Sequence, residues 1–190
     1  ISDEGYGHTI RQRTIIKELL KRKKFGKITV FHEKNLKILK ETFKKKINYR
    51  KIFNNLKTIK NNSGHLDINK TLQVFKNWET NHHLWVRKIT KEMKDTDIII
   101  SDFVPEAFEI GKILKIKSYG VCHYTWDWFY KKILRRNKTI NLTKYAHQAN
   151  RIFFPPITEN QILKKYKKNA VSVNFFLSDF KRLNIKKKNI

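Results

Sequence analysis

Asp97-Ile98-Ile99-Ile100-Ser101-Asp102 decides the fold: an unbroken apolar run that closes on a polar tip. A strand with one wet face alternates apolar and polar residues, whereas one covered on both faces reads as continuous branched aliphatics. The run therefore predicts a strand inside a parallel sheet. Pro105 follows at a position that suits the first turn of a helix, with Ala107, Phe108, Ile110, Ile113 and Leu114 inside it. Residues 118 to 122 read as a second buried strand, and a helical stretch is predicted from Asp127 to about Ala149. Arg151-Ile152-Phe153-Phe154 then precedes Pro155-Pro156, and Val171-Ser172-Val173-Asn174-Phe175-Phe176 is the last strand.

Upstream, Asp67 is placed to cap a long helix reaching about residue 94. Its apolar stripe is Leu72, Phe75, Trp78, His82, Trp85, Ile89 and Met93, at spacings of three and four. Residues 47 to 66 are expected to be mostly loop. Leu36, Ile38, Leu39 and Phe43 predict a helix, and Lys27-Ile28-Thr29-Val30-Phe31-His32 a short strand. Ile15, Ile16, Leu19 and Leu20 fall at helical spacing, with Gly26 as the stop. Strands alternating with helices imply right-handed crossovers, so the expected class is α/β, a Rossmann-like parallel sheet with helices on both faces. Ligands of such sheets sit beyond the carboxyl ends of the strands. Residues 3 to 8, 101 to 106 and 123 to 128 are polar clusters at those ends, and they are expected to converge.

The first cluster, Ser2-Asp3-Glu4-Gly5-Tyr6-Gly7-His8-Thr9-Ile10-Arg11, reads as a strand end, a glycine turn and a helix start. Gly5 and Gly7 are expected to take positive φ and to let a ligand approach bare amides. The helix directs its positive end at the same place. Ile1 leaves almost no strand to feed this loop, which reads as a truncation.

Composition bounds the remainder. Hydrophobic residues are 39% of the 190, enough for one domain with a sizeable core. No run approaches the roughly 18 apolar residues of a membrane span. Lone Cys122 lies in an apolar run and fits a buried thiol in a reducing, cytoplasmic setting. Lys and Arg number 43 against 16 Asp and Glu, a net charge of +27. Lys, Ile and Asn share A/T-rich codons, so coding bias accounts for this charge as well as a partner does. The lysines are also dispersed, whereas nucleic-acid readers gather them on one face among stacking aromatics. No specific nucleic acid is expected; anionic lipid headgroups, which need only charge, stay open as a peripheral contact.

His8 is the natural general base, because an unperturbed imidazole titrates near neutrality and so suits taking a hydroxyl proton. Asp102 at a neighbouring strand tip is placed to orient it. The plainer alternative has His8 bonding its own backbone and Asp102 capping the next helix. Asp3 and Glu4 are rival bases. In His123-Tyr124-Thr125-Trp126-Asp127-Trp128-Phe129-Tyr130, Tyr124 and Trp126 are candidate walls for a sugar ring, with Asp127 beside them, while Trp128 and Tyr130 read as core. Asp127 could equally cap a helix. His82-His83 has no carboxylate or thiol at ligand spacing, so no metal site is expected. No third glycine completes a dinucleotide fingerprint, and no P-loop appears. Asn137-Lys138-Thr139 and Asn141-Leu142-Thr143 match the glycosylation pattern, as chance allows in an Asn-rich chain.

Gly5-Tyr6-Gly7-His8-Thr9-Ile10-Arg11 resembles the GxGHxxR opening of GT-B glycosyltransferases, particularly the family 28 group. Ile100-Ser101-Asp102-Phe103-Val104-Pro105-Glu106-Ala107 with Thr125-Trp126-Asp127-Trp128-Phe129-Tyr130 is similar to glycosyltransferase-like proteins and to the N-terminal region of plant-type arabinose kinases. The resemblance implies that residues 1–180 are the acceptor-side half of a GT-B enzyme, its first strand truncated, with 181–190 opening the interdomain linker. It implies that His8 deprotonates the acceptor hydroxyl and Asp102 supports it, with no bound metal. The nucleotide-sugar would be a co-substrate held mainly by a C-terminal half, with no other cofactor. Gly5, Gly7, Arg11, Tyr124, Trp126 and Asp127 would then meet a sugar or glycoside acceptor. A Tyr between the glycines departs from the glycine-richer loop of the peptidoglycan GlcNAc transferase, so the acceptor is not carried over. Two other readings stand beside this one: a non-catalytic sugar-binding domain fused to a sugar kinase, and polyanion binding through charge alone.

Overall fold

Three consecutive isoleucines, Ile98 to Ile100, build the strand that ends beside Asp102. The computed structural model describes residues 1, 5–22, 25–52, 56–102, 104–135 and 142–174. β1 (Thr29–His32) and β2 (Asn48–Lys51) pair in parallel. β3 (Ile98–Ser101), β4 (Lys117–Val121), β5 (Arg151–Phe154) and β6 (Ala170–Ser172) form a four-stranded, all-parallel sheet in chain order. The helices are α1 (Tyr6–Lys21), α2 (Leu36–Phe43), α3 (Ile68–Glu92), α4 (Pro105–Leu114), α5 (Trp126–Lys132), α6 (Thr143–Gln148) and α7 (Asn160–Lys165). The fold is α/β and Rossmann-like, parallel sheets flanked by helices.

The strands divide between two sheets rather than forming one. Asn48 donates its N–H to Ile28 O at 2.8 Å, so the carbonyl of Phe31, an odd number of residues on, faces the opposite edge of β1. There the Ile1 amine donates to it at 2.9 Å. The sheets nonetheless share apolar packing: Phe31 and Ile52 lie against a cluster of Val86, Ile89, Ile99 and Ile110. A larger core gathers α3 to α7 around Phe75, Trp78, Trp126, Ile152 and Phe154.

Helix ends follow the sequence closely where a cap exists. Asp67 accepts from the Lys70 N–H at 2.9 Å and starts α3 as expected. Pro105 opens α4. Gly111 of α4 faces Ser118 of β4, where an added Cβ would stand 2.8 Å from the serine Cβ. That close approach seats α4 on β4. Within the β3–α4 turn Ser101 Oγ donates to Val104 O at 2.9 Å and receives the Val104 N–H at 3.0 Å.

Three expectations need correction. β2 lies in a segment read as loop, because Asn48-Tyr49-Arg50-Lys51 is an edge strand with little burial and hence no apolar signal. The single helix expected from Asp127 to Ala149 is two, α5 and α6, with residues 133–135 non-helical. α7, a single short turn-and-a-half, had no sequence reading at all. The last strand is Ala170–Ser172; Phe175, Phe176 and the proposed linker from 181 lie outside the described residues.

Candidate functional site

The site is built where α1, β3 and β4 end. Gly5 precedes α1 with φ 156°, a value that penalises any side chain. Gly7 does not share this conformation: it lies inside the first turn of α1, exposed, with nothing within 4 Å of an added Cβ. The expected positive φ at position 7 is therefore corrected, because the helix begins one residue earlier, at Tyr6. His8, next along the turn, is buried.

Asp102 follows β3 and is fully buried. Its Oδ2 lies 3.1 Å from His8 Nδ1, and its Oδ1 accepts from the Arg11 guanidinium. The same Arg11 nitrogen stands 3.0 Å from His8 Nδ1. These contacts cannot all be hydrogen bonds. If Nδ1 carries the proton it donates to the carboxylate, and Arg11 is only a neighbour; if Arg11 donates to Nδ1, the proton sits on Nε2. A charge-assisted bond to the ionised carboxylate favours the first arrangement. It leaves the Nε2 lone pair free, and Nε2 has no hydrogen bond among the described residues. The arrangement can take a proton from a hydroxyl at Nε2 while Asp102 supports the cation that forms.

Two further groups complete the floor. Thr9 Oγ1 lies 3.0 Å from Nε2 of His32, which is buried at the tip of β1. His123 follows β4, half-buried, with its ring centroid 6.3 Å from that of His8. Burial, aided by the nearby Arg11 and His8, pushes the His123 pKa down to about 4, so this imidazole is neutral at neutral pH. Burial also pushes the neighbouring Cys122 thiol far up, which leaves it an inert part of the core. One described residue of each polar cluster, His8, Asp102 and His123, thus comes to the same place.

The aromatic cluster divides differently from the sequence reading. Trp126 is 3% exposed and packs edge-on against Phe75 and Phe129 in the main core, so it cannot wall a ligand. Its place at the start of α5 turns it inward. Trp128 is half-buried, with its indole N–H donating to Glu159 at 3.2 Å. Tyr124 is half-buried and stacks on Phe129, leaving it beside His123. Tyr130 is in the core as expected.

Asp127 neither caps α5 nor stands free. Burial alone would raise its pKa, but hydrogen bonds from Lys165 and Tyr166 hold it below the ordinary value. The Tyr166 hydroxyl donates at 2.6 Å, and Lys165 forms an ion pair, tying α5 to the end of α7. Arg11, expected to meet the acceptor, is likewise already engaged with Asp102. His82 stacks on Trp78 and bonds the Tyr145 hydroxyl at 2.7 Å. Among the described residues no three His, Cys, Asp or Glu side chains are grouped to hold a metal ion. Nor is any described helix long and apolar enough to cross a membrane. Asp3, Glu4, Phe103 and both glycosylation patterns fall on or across residues outside the described set.

Sequence reasoning missed His32, His123 and the sharing of Asp102 by Arg11. The only signal for His123 was its place one residue past a buried strand. Comparison with protein-family models, with curated proteins and with solved structures found no match.

Proposed function

We propose that this chain is the acceptor-binding part of an inverting sugar transferase that uses a nucleotide-sugar donor. One observation carries the reading: His8 and Asp102, distant in sequence, meet at 3.1 Å beyond the strand ends. The resemblance of both motifs to GT-B enzymes supplies the reaction class. In this reading His8 Nε2 takes the proton of an acceptor hydroxyl. The oxygen uses the freed pair to bond the anomeric carbon, and the nucleoside diphosphate leaves with the pair of the broken bond. The donor is held by a C-terminal half, and the setting is cytoplasmic, at the inner face of an anionic membrane that the basic surface would favour.

These residues alone are expected to transfer no sugar. In a protein carrying both halves, His8→Ala lowers turnover by about 10²–10⁴-fold, the usual worth of a general base. Turnover within a few-fold of the parent removes His8 from the chemistry.

The close approach of Arg11 to His8 Nδ1 favours a second reading, a sugar-binding domain without catalysis, as in a kinase fusion. If Arg11 donates to Nδ1, Nε2 carries the proton and no base is present. Ring nitrogen shifts in the magnetic resonance spectrum of His8 separate the two tautomers.

A further inference from the structure

His123 stands at the end of β4, one strand along from Asp102 at the end of β3. Its ring is held edge-to-face by Tyr124, centroids 4.5 Å apart, and is tilted 42° to the ring of His8. Among the described residues neither of its nitrogens has a hydrogen-bond partner. A ring placed there only to pack against Tyr124 gains nothing from nitrogens beside Arg11 and His8. A neutral imidazole offers one N–H and one lone pair. A single oxygen hydrogen-bonded to both rings at about 2.8 Å suits centroids up to roughly 8 Å apart, and the observed separation is 6.3 Å.

We propose that His123 is a second substrate-contacting residue, whose ring N–H donates to the same hydroxyl oxygen that yields its proton to His8. The proposal rests on the reading of His8 as base and assigns the ligand class at that point as an alcohol, a sugar hydroxyl. The hydroxyl proton passes to His8 Nε2, the oxygen keeps its electron pair, and His123 keeps its own proton. Its fixed donor then stabilises the charge that gathers on the oxygen as it attacks. A protonated ring here would be repelled by Arg11, and by His8 once that ring becomes an imidazolium. The depressed basicity of His123 avoids both.

The test follows ring nitrogen resonances of isotopically labelled chain while D-glucose, L-arabinose or N-acetylglucosamine is added. The expected result is that at least one of these sugars moves His8 and His123 together on one saturation curve. His123→Phe then weakens that binding by about tenfold, the loss of one hydrogen bond, and His123→Gln, which keeps an N–H, restores most of it. A sugar that moves His8 alone, or that binds His123→Phe as tightly as the parent, overturns the role of His123 and leaves His8 standing. If none of the three moves either ring, both roles fall. Should His123→Phe fail to fold, the parent chain's two resonances decide.

Discussion

Asp102 holds Arg11 through the carboxylate oxygen that His8 does not use. Both oxygens of a fully buried acid are therefore satisfied from one helix, by side chains one turn apart. The pairing locks α1 to the end of β3 and, with it, the position of the candidate base.

Removing the Asp102 charge leaves the Arg11 guanidinium largely buried without its carboxylate partner. Asp102→Asn is expected to destabilise the fold by about 3–5 kcal/mol, measured by urea unfolding. Arg11→Met in the same background should recover part of that loss, because the stranded guanidinium goes too. Losses that simply add would show that the two side chains are not coupled.

Glu106, 1% exposed on α4, supplies a pH dependence. Burial raises its pKa to about 7, against smaller downward pulls from its own backbone N–H and from the Trp78 indole that bonds its Oε1 at 2.5 Å. Below about 4.5 folded and unfolded chains both hold the proton; between there and about 7 the unfolded chain gives it up first, so stability falls as the pH rises. The full loss is about 3 kcal/mol. His123 acts in the opposite sense, since its folded pKa of about 4 lies below the ordinary 6.5 and stability drops as the pH falls through that window. Unfolding of Glu106→Gln beside the parent, at about pH 5 and about pH 8, isolates the carboxyl: the parent-minus-variant difference should shrink at the higher pH. A difference independent of pH would mean that the acid is not neutral in the fold.

Two helical glycines should respond in opposite directions to alanine. Gly111→Ala sets a methyl 2.8 Å from the Ser118 Cβ and is expected to cost about 1–3 kcal/mol. Gly7→Ala meets nothing within 4 Å and should gain up to about 1 kcal/mol from helix propensity. Thermal melts of both variants check the signs.

Tyr166→Phe removes the hydroxyl that Asp127 accepts from, in a side chain with no exposed surface. The carboxylate keeps Lys165, so the expected cost is about 1–2 kcal/mol. Asp127→Ala strands the buried hydroxyl and should cost more. Equal effects would mean that Tyr166, not Lys165, carries the link between α5 and α7.

The strands of the larger sheet and the long helix were legible because each is written in its own period. Ile98 to Ile100 gives a continuous run, and the α3 stripe repeats every three to four residues from an Asp cap. His8 and Asp102 could be paired because strand ends converge in any parallel sheet. Trp126 was misplaced for the opposite reason: sequence gives the neighbourhood of an aromatic but not the side of the helix it faces, and Trp126 turns fully inward while Trp128 stays half-buried at the margin of the core. The partners of Asp127 lie 38 and 39 positions away, beyond any local pattern. Arg11 was read as a ligand contact because nothing in the sequence marks an internal ion pair.

β2 brings the basic composition to one concrete use. A strand with one side unmatched is an open template on which a second molecule can add itself, and nature commonly guards such borders with charge. Among the described residues β2 pairs with β1 alone, and its other border carries Asn48, Arg50 and Lys51 in exposed positions. Two molecules meeting there would set cation against cation, so the border discourages self-association and fibre growth.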